Sequence, residues 1–146
     1  MCLMTIFYFY FKIEIIIDTK KNFVAVTGDG FIARDIGFHN TAGPQGKQAL
    51  ALYIASDRSA LYRCSIAGYQ DTLYALALRQ FYRECDIYGT IDFIFGNSAA
   101  IFQNCNLGLR RPRHGGSNVI LASGRSAKII SPKKIISPKL FFKLTK

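Results

Sequence analysis

The feature that most constrains the fold is a short motif ending in glycine, which recurs four times along the chain. The four copies read ARDIG, CSIAG, CDIYG and NCNLG and end at Gly37, Gly68, Gly89 and Gly108. The apolar anchors of these copies follow one another at sequence intervals of 30, 21 and 20, and they are Ile36, Ile66, Ile87 and Leu107. A unit of about 20 residues cannot bury a core by itself, but stacked units can. The spacing therefore predicts a parallel solenoid.

Each anchor lies in an apolar run with β propensity, and the Gly, Asn, Asp and Ser residues of tight turns separate the runs. The runs are Phe31–Phe38, Leu61–Ile66, Phe81–Ile87 and Ile101–Leu107. Helical periodicity is poor throughout, and the best candidate helix, Gln48–Ile54, alternates equally well as a strand. We therefore expect an all-β chain.

The composition supports a folded core but says little about a partner. Half of the residues are apolar, which excludes intrinsic disorder. The net charge of +10 would favour a nucleic acid or an anionic membrane if it were evenly spread. However, residues 127–146 carry six lysines and no acid, whereas residues 22–126 carry only +3. We therefore expect neither a nucleic-acid nor a membrane partner.

The N-terminal segment, 1–21, differs in character from the rest of the chain. It opens with the apolar run MCLMTIFYFYF, which is shorter than the roughly 20 residues of a membrane span. The run matches a signal peptide in length but lacks a basic start and a small-x-small cleavage site. The β-branched residues that follow favour a strand. We divide the chain into a divergent N-terminal segment (1–21), a solenoid body (22–126) and a lysine-rich, low-complexity tail (127–146).

The repeat spacing also brings two aspartates together. Asp71 in GYQDTLY and Asp92 in GTIDFIFG are separated by the same interval, 21, so they occupy matching places on adjacent coils. Two carboxylates this close cannot both ionise easily, so one should have a raised pKa. One acid could then stay charged or attack while the other donates a proton. Alternatively, each aspartate only caps a turn by accepting backbone N–H bonds.

Three of the four cysteines follow the same spacing. Cys64, Cys85 and Cys105 follow one another at intervals of 21 and 20, so they should stack about 4.8 Å apart on adjacent coils. A disulfide can bridge that distance, and a ladder of buried free thiols fits it equally well. There is no C-x-x-C motif, and both histidines lie far from the cysteines in sequence, so we expect no metal site.

These motifs resemble those of the plant pectin methylesterases (pectinesterases). The matching strings are GDGFIARDIGFHNTAGP (28–44), GKQALAL (46–52), GYQDTLY (68–74), RQFYRECDIYGTIDFIFGN (79–97) and FQNCNL (102–107). The resemblance implies a right-handed parallel β-helix, truncated in this chain. It also implies a secreted carboxylic ester hydrolase of the cell wall, which converts methyl-esterified homogalacturonan to pectate and methanol in cell-wall modification and pectin catabolism. It implies no metal or organic cofactor, and we expect a monomer.

The resemblance assigns roles to four polar residues. By resemblance, Asp92 is the nucleophile that attacks the ester carbonyl. Asp71 is the acid that protonates the departing methanol and then the base that activates water. Gln48 and Gln70 resemble the amides that stabilise the oxyanion, and Gln48 also resembles a substrate-binding residue.

Further residues resemble a groove and a covalent link of the family. Tyr74 and Phe95 are similar to aromatic residues that line the sugar groove, although ordinary solenoid packing explains them equally well. The family disulfide matches Cys85–Cys105, which implies an oxidising, extracellular setting.

The sequence departs from the family pattern on both sides of the matched strings. No convincing match is found for the substrate-contacting Thr upstream of Asn22. The downstream Leu-Gly-Arg-Pro-Trp segment, which supplies an Arg that anchors the nucleophile and a Trp of the groove, is absent, and the chain contains no Trp. The alternative prediction is therefore a truncated, catalytically inactive pectinesterase-like fragment or a pectin-binding solenoid.

Overall fold

The structure is a computed structural model of the 146-residue chain and describes residues 15–18, 23–112, 116–122, 135–136 and 141–144. These residues form sixteen β-strands and one turn of 3-10 helix, Pro44–Gly46. The apolar run at residues 1–11 and most of the predicted tail lie outside the described residues. Within the described ranges, no helix is long and apolar enough to cross a membrane.

The strands form three sheets, and the chain visits the sheets in turn. The first sheet contains β1 (Ile15–Asp18), β2 (Phe23–Val26), β5 (Leu52–Ile54), β8 (Leu73–Ala75), β11 (Ile94–Phe95) and β14 (Leu121–Ala122). The second contains β3 (Ile32–Arg34), β6 (Ser59–Tyr62), β9 (Arg79–Arg83), β12 (Ala99–Gln103) and β15 (Ile135–Ile136). The third contains β4 (Gly37–His39), β7 (Ser65–Ala67), β10 (Asp86–Gly89), β13 (Asn106–Leu109) and β16 (Phe141–Leu144).

Parallel pairing joins each strand to its equivalent on the next coil, apart from the antiparallel pair of β1 and β2. In the first sheet, Leu73 pairs with Ile94, a sequence offset of 21. In the third sheet, Ile66 pairs with Ile87 and Ile87 pairs with Leu107, at offsets of 21 and 20. The stacked units predicted from the repeat, and the all-β parallel β-helix fold, are therefore confirmed.

One continuous apolar core fills the coils. Inward-facing strand positions are buried and alternate with outward-facing ones, as in β9, where Gln80 and Tyr82 are buried between more exposed neighbours. The rings of Tyr82 and Phe102 stack within the core, 4.6 Å apart. The Tyr82 hydroxyl donates to Oε1 of Gln80 (2.7 Å), and Nε2 of Gln80 donates to the carbonyl of Ile54 (3.1 Å). The buried polar groups of this layer are thus paired, which avoids a desolvation penalty.

Each of the four apolar runs is formed by two strands separated by a corner. The corner residues are Asp35, Arg63, Glu84 and Asn104, and their φ angles are 56°, 49°, 53° and 53°, respectively. We call these four residues the ion-pair corner. Residues other than glycine rarely adopt this left-handed conformation, so the apolar pattern gave no sign of the break.

Charges of opposite sign face each other at the ion-pair corner. Nε and a terminal nitrogen of Arg63 each donate to an Asp35 carboxylate oxygen on the preceding coil, at 2.6 Å. This paired hydrogen bond, supported by Arg34, lowers the pKa of Asp35 below its ordinary value, against a smaller effect of desolvation. The stacking therefore links these two neighbouring coils through an exposed salt bridge.

One further expectation is corrected by the register. Phe38, rather than the predicted anchor Ile36, pairs with Ile66, because the interval of the first full coil is 28 and not 30. Ile36 is only partly buried and packs against the edge of the core. Of the two alternatives left open for Gln48–Ile54, the strand is the one found, since Leu52–Ile54 forms a strand in the first sheet.

Candidate active site

The two aspartates lie at the corner where the third sheet passes into the first. Asp71 comes between β7 and β8, and Asp92 comes at the matching place between β10 and β11. The backbone N–H of Asp71 donates to the carbonyl of Ile91 on the next coil (3.1 Å), which joins the two turns. Together, residues 68–72 and 89–93 form the aspartate corner.

The backbone at both aspartates is left-handed, with φ angles of 59° at Asp71 and 48° at Asp92. Such conformations cost free energy and are concentrated at functional sites. Thr72 fixes the first turn: its hydroxyl, buried in the core, contacts the carbonyls of Tyr69 and Tyr88, each at 3.1 Å. The orientation of Asp71 is therefore set by a buried side chain that follows it directly.

Gly89 allows the second turn to pack closely. A Cβ atom at this position would lie 2.2 Å from Cβ of Phe93 and 2.8 Å from the hydroxyl oxygen of Thr72. Real Cβ atoms do not approach other atoms so closely, so a larger residue would push the two turns apart. The glycine that ends the CDIYG motif thus holds Asp92 next to Asp71.

The pKa of Asp71 is raised above its ordinary value, first by burial and then by the charge of Asp92. This agrees with the sequence-based prediction that one carboxyl of the pair holds its proton more tightly. A carboxylic acid in this state can donate a proton at a pH where an isolated aspartate could not.

Gln48 and Gln70 lie side by side at the entry to the first sheet. They form a parallel bridge between adjacent coils, and the N–H of Ala49 donates to the carbonyl of Gln70 (3.2 Å). Gln70 directly precedes Asp71, so both predicted amides come to the aspartate corner. Side-chain amides placed next to a reacting carbonyl are suited to stabilise an oxyanion.

An aromatic ladder runs along the first sheet beside the aspartates. Tyr53, Tyr74 and Phe95 are in register on three coils. The rings of Tyr74 and Phe95 stack at 4.4 Å, and the ring of Tyr53 meets that of Tyr74 edge-on at 5.3 Å. All three side chains are half-buried. Sequence reasoning missed Tyr53, although it precedes Tyr74 by the same interval that separates Tyr74 from Phe95, which was a usable signal.

Arg110 is a second residue that sequence reasoning missed. Its guanidinium donates to the carbonyl of Gly68 (2.9 Å), two coils back, and lies over the rings of Tyr69 and Tyr88, 5.0 and 5.8 Å from their centroids. Since Gly68 opens the turn that carries Asp71, Arg110 braces the aspartate corner from outside. No spacing in the sequence marked it, because its partners belong to other coils.

The cysteine ladder lies in the core, away from this corner. Cys64, Cys85 and Cys105 are buried free thiols, so the implied Cys85–Cys105 disulfide is not formed in this structure. Matching positions on parallel coils point the same way, and each sulfur turns to a main-chain carbonyl: Cys85 donates to Leu61 and Cys105 to Tyr82, both at 3.5 Å. The residues keep the register that the pairing requires, and the disulfide stays a prediction.

Metal ligation finds no support in the described ranges, which contain no group of three or more His, Cys, Asp or Glu side chains placed to hold an ion. His39, the histidine within those ranges, lies 3.0 Å from the Ser65 hydroxyl.

Comparisons with known proteins agree with this geometry. The family model described as Pectinesterase matches residues 14–135. A probable pectinesterase/pectinesterase inhibitor 54 from Arabidopsis thaliana is 75% identical over 105 residues, which cover 70% of this chain and 20% of the relative. A pectin methylesterase from carrot superposes with a TM-score of 0.78 at 47% identity, covering 83% of this chain and 37% of the carrot chain.

A third similar protein is a pectin methylesterase solved in complex with a hexasaccharide. It has a TM-score of 0.72 and 28% identity, and the match covers 84% of this chain and 41% of the other. This chain therefore spans about a fifth of the length of the Arabidopsis relative and about two fifths of the solved structures.

Proposed function

Since the chain belongs to the pectinesterase family, we propose that its aspartate corner hydrolyses the C6 methyl esters of galacturonate in pectin. The observation that carries this proposal is the pair of stacked aspartates, of which Asp71 has a raised pKa, beside two adjacent amides. The solved hexasaccharide complex of a similar protein supports an oligosaccharide as the ligand. Plant family members imply an extracellular setting, and we propose the cell wall as the location.

The reaction begins at Asp92. Its carboxylate attacks the ester carbonyl carbon, and the carbonyl oxygen becomes an oxyanion that accepts hydrogen bonds from the amides of Gln48 and Gln70. Asp71, whose pKa is raised by burial and by the charge of Asp92, donates a proton to the departing methoxy oxygen. Methanol leaves, and the acyl group stays on Asp92 as an anhydride.

Water completes the cycle. Asp71, now ionised, removes a proton from a water molecule, and the hydroxide attacks the acyl carbon. The C–O bond to Asp92 breaks, so Asp92 is again a carboxylate and Asp71 carries the proton taken from water. The product leaves as the carboxylic acid and becomes galacturonate by losing its proton to the solvent. Tyr74 and Phe95 would line the path of the sugar units, because their stacked rings form a continuous half-buried surface along the coils.

The test is methanol release from highly methylated pectin by the purified full chain. The wild-type chain should release methanol at a rate that depends on its concentration, and Asp92→Ala should release none above background. Fully de-esterified pectate is the matched substrate control. An equal rate for the wild type and Asp92→Ala would reject the proposal, and no release by a folded wild-type chain would favour an inactive pectinesterase-like fragment.

A further inference from the structure

The segment that leads from Gln48 into β5 has one residue more than the matching segment on the next coil, which leads from Gln70 into β8. Gln48 faces Gln70, and Leu52 faces Leu73. The first pair has a sequence offset of 22 and the second an offset of 21, so the segment from Gln48 to Leu52 must absorb one extra residue. It does so at Ala51, where the N–H groups of Ala51 and Leu52 both donate to the carbonyl of Thr72, at 2.9 and 3.2 Å.

Two residues on one strand that oppose one on its partner form a β-bulge, and bulges often re-aim a side chain next to an active site. If the offset of 21 between Leu52 and Leu73 also held at Gln48, then Gln48 would face Tyr69. With the bulge it faces Gln70. Because a one-residue slip turns a side chain to the other face of a strand, this extra residue decides whether the two amides can act together.

Asn40 holds the bulged segment from the preceding part of the same coil. Its side-chain nitrogen donates to the carbonyl of Leu50, the residue before Ala51, at 2.6 Å. Its side-chain oxygen accepts from the N–H of Ala42 (2.9 Å), and its own N–H donates to the carbonyl of Ala67 (2.8 Å). Asn40 is 4% exposed, so these bonds are shielded from water.

We propose that Asn40 is a positioning residue for ester hydrolysis: by holding Leu50 it fixes the bulge at Ala51, and the bulge aligns the amide of Gln48 with that of Gln70. The effect of Asn40 on ester hydrolysis rests on the proposed function, whereas its effect on the alignment of Gln48 with Gln70 does not. Asn40 does not belong to the reacting groups and acts through Gln48.

The alignment is tested first, without any activity measurement. Oxidative cross-linking and peptide mapping are compared for two double variants, Gln48→Cys with Gln70→Cys and Gln48→Cys with Tyr69→Cys. Facing positions lie within disulfide range, so the first pair should cross-link about tenfold faster. Adding Asn40→Asp, which keeps the acceptor for Ala42 and removes the donor to Leu50, should erase most of this preference. An unchanged preference would overturn the proposal.

The catalytic step is tested by a double-mutant cycle. Asn40→Asp should lower kcat for methanol release about tenfold with little change in KM, because it disturbs a transition-state contact. In a Gln48→Ala background the same substitution should have almost no further effect. Thr41→Ala, an exposed neighbour, is the control and should leave kcat unchanged. Effects of Asn40→Asp and Gln48→Ala that multiply would show that Asn40 does not act through Gln48.

The two arms separate the possible failures. If the wild-type chain releases no methanol while Asn40→Asp abolishes the cross-linking preference, the proposed function fails and the positioning by Asn40 stands. If methanol is released and the preference survives in Asn40→Asp, the positioning fails and the proposed function stands.

Discussion

The ion-pair corner and the aspartate corner share a left-handed backbone conformation, but the pKa of the aspartate is shifted in opposite directions at the two corners. In both, charged residues with a left-handed backbone stack at matching places on adjacent coils. At the ion-pair corner Asp35 faces Arg63, and its pKa is lowered. At the aspartate corner Asp71 faces Asp92, and its pKa is raised by burial and by that second carboxylate. The β-helix therefore brings the charges close together, and their signs decide whether an aspartate pairs with a cation or has a raised pKa beside a second carboxylate.

The amides should give the largest difference between the corners. Gln70→Ala should lower kcat for methanol release about 100-fold or more, because one oxyanion donor is lost. Gln103→Ala, placed just before the ion-pair corner, is the matched control and should keep kcat near the wild-type value. Steady-state kinetics on both variants checks this. Equal losses would mean that the difference between the corners is not catalytic.

Close packing at the aspartate corner should be costly to disturb. Gly89→Ala should lower the free energy of unfolding by about 2 kcal/mol, because the new methyl group overlaps Phe93 and Thr72. Denaturant unfolding measures the effect. Gly116→Ala is the control, since no atom lies within 4 Å of the Cβ position there. A loss no larger than that of Gly116→Ala would show that the two turns are not tightly packed.

Removing the Asp71 carboxyl, whose pKa is raised, should stabilise the folded chain. A carboxyl whose pKa is higher in the folded state than its unfolded value of 3.8 costs stability as the pH rises through the folded pKa. Asp71→Asn, which keeps a residue tolerant of the left-handed backbone, should therefore raise the free energy of unfolding at pH 7 by about 0.5 kcal/mol. The gain should shrink as the pH falls towards the unfolded value of 3.8 and vanish well below it, where the carboxyl is protonated in both states. A gain that is independent of pH would contradict this account of the charge.

Asp35→Asn should lower the free energy of unfolding, opposite to Asp71→Asn, and this effect should be the smallest of the four. The pKa of Asp35 is lowered in the folded state, so its ion pair stabilises the chain above pH 3.8 and is lost as the pH falls through the folded value. The variant should be slightly less stable than the wild type at pH 7 and indistinguishable from it in strong acid. Added salt should reduce the difference, since the pair is exposed. Thermal unfolding at several pH values provides the measurement.

The spacing of the repeat was sufficient to predict most of the fold. Intervals of 21 and 20 gave the correct register for Ile66, Ile87 and Leu107, because parallel stacking requires equivalent residues at constant offsets. The same spacing brought Asp71 and Asp92 together. The predicted register was wrong at Ile36, because the first full coil includes the Pro44–Gly46 turn and is 28 residues long.

Other features of the site were beyond sequence reasoning for physical reasons. The corners are set by left-handed residues such as Arg63 and Glu84, whose type gives no warning of that conformation. The bulge at Ala51 is a single extra residue, which is visible only against the next coil. Arg110 braces the turn at Gly68, two coils back, through its side chain, a contact that no local pattern encodes.

The central claim is that stacking two aspartates makes one corner reactive, and one comparison tests it most directly. Methanol release from highly methylated pectin is measured for the wild type, Asp92→Asn and Asp35→Asn at equal concentrations of folded protein. Both substitutions remove one charge from an aspartate with a left-handed backbone. The account predicts that Asp92→Asn abolishes release while Asp35→Asn keeps the wild-type rate. Wild-type release that survives in Asp92→Asn, or is lost equally in both variants, would contradict it.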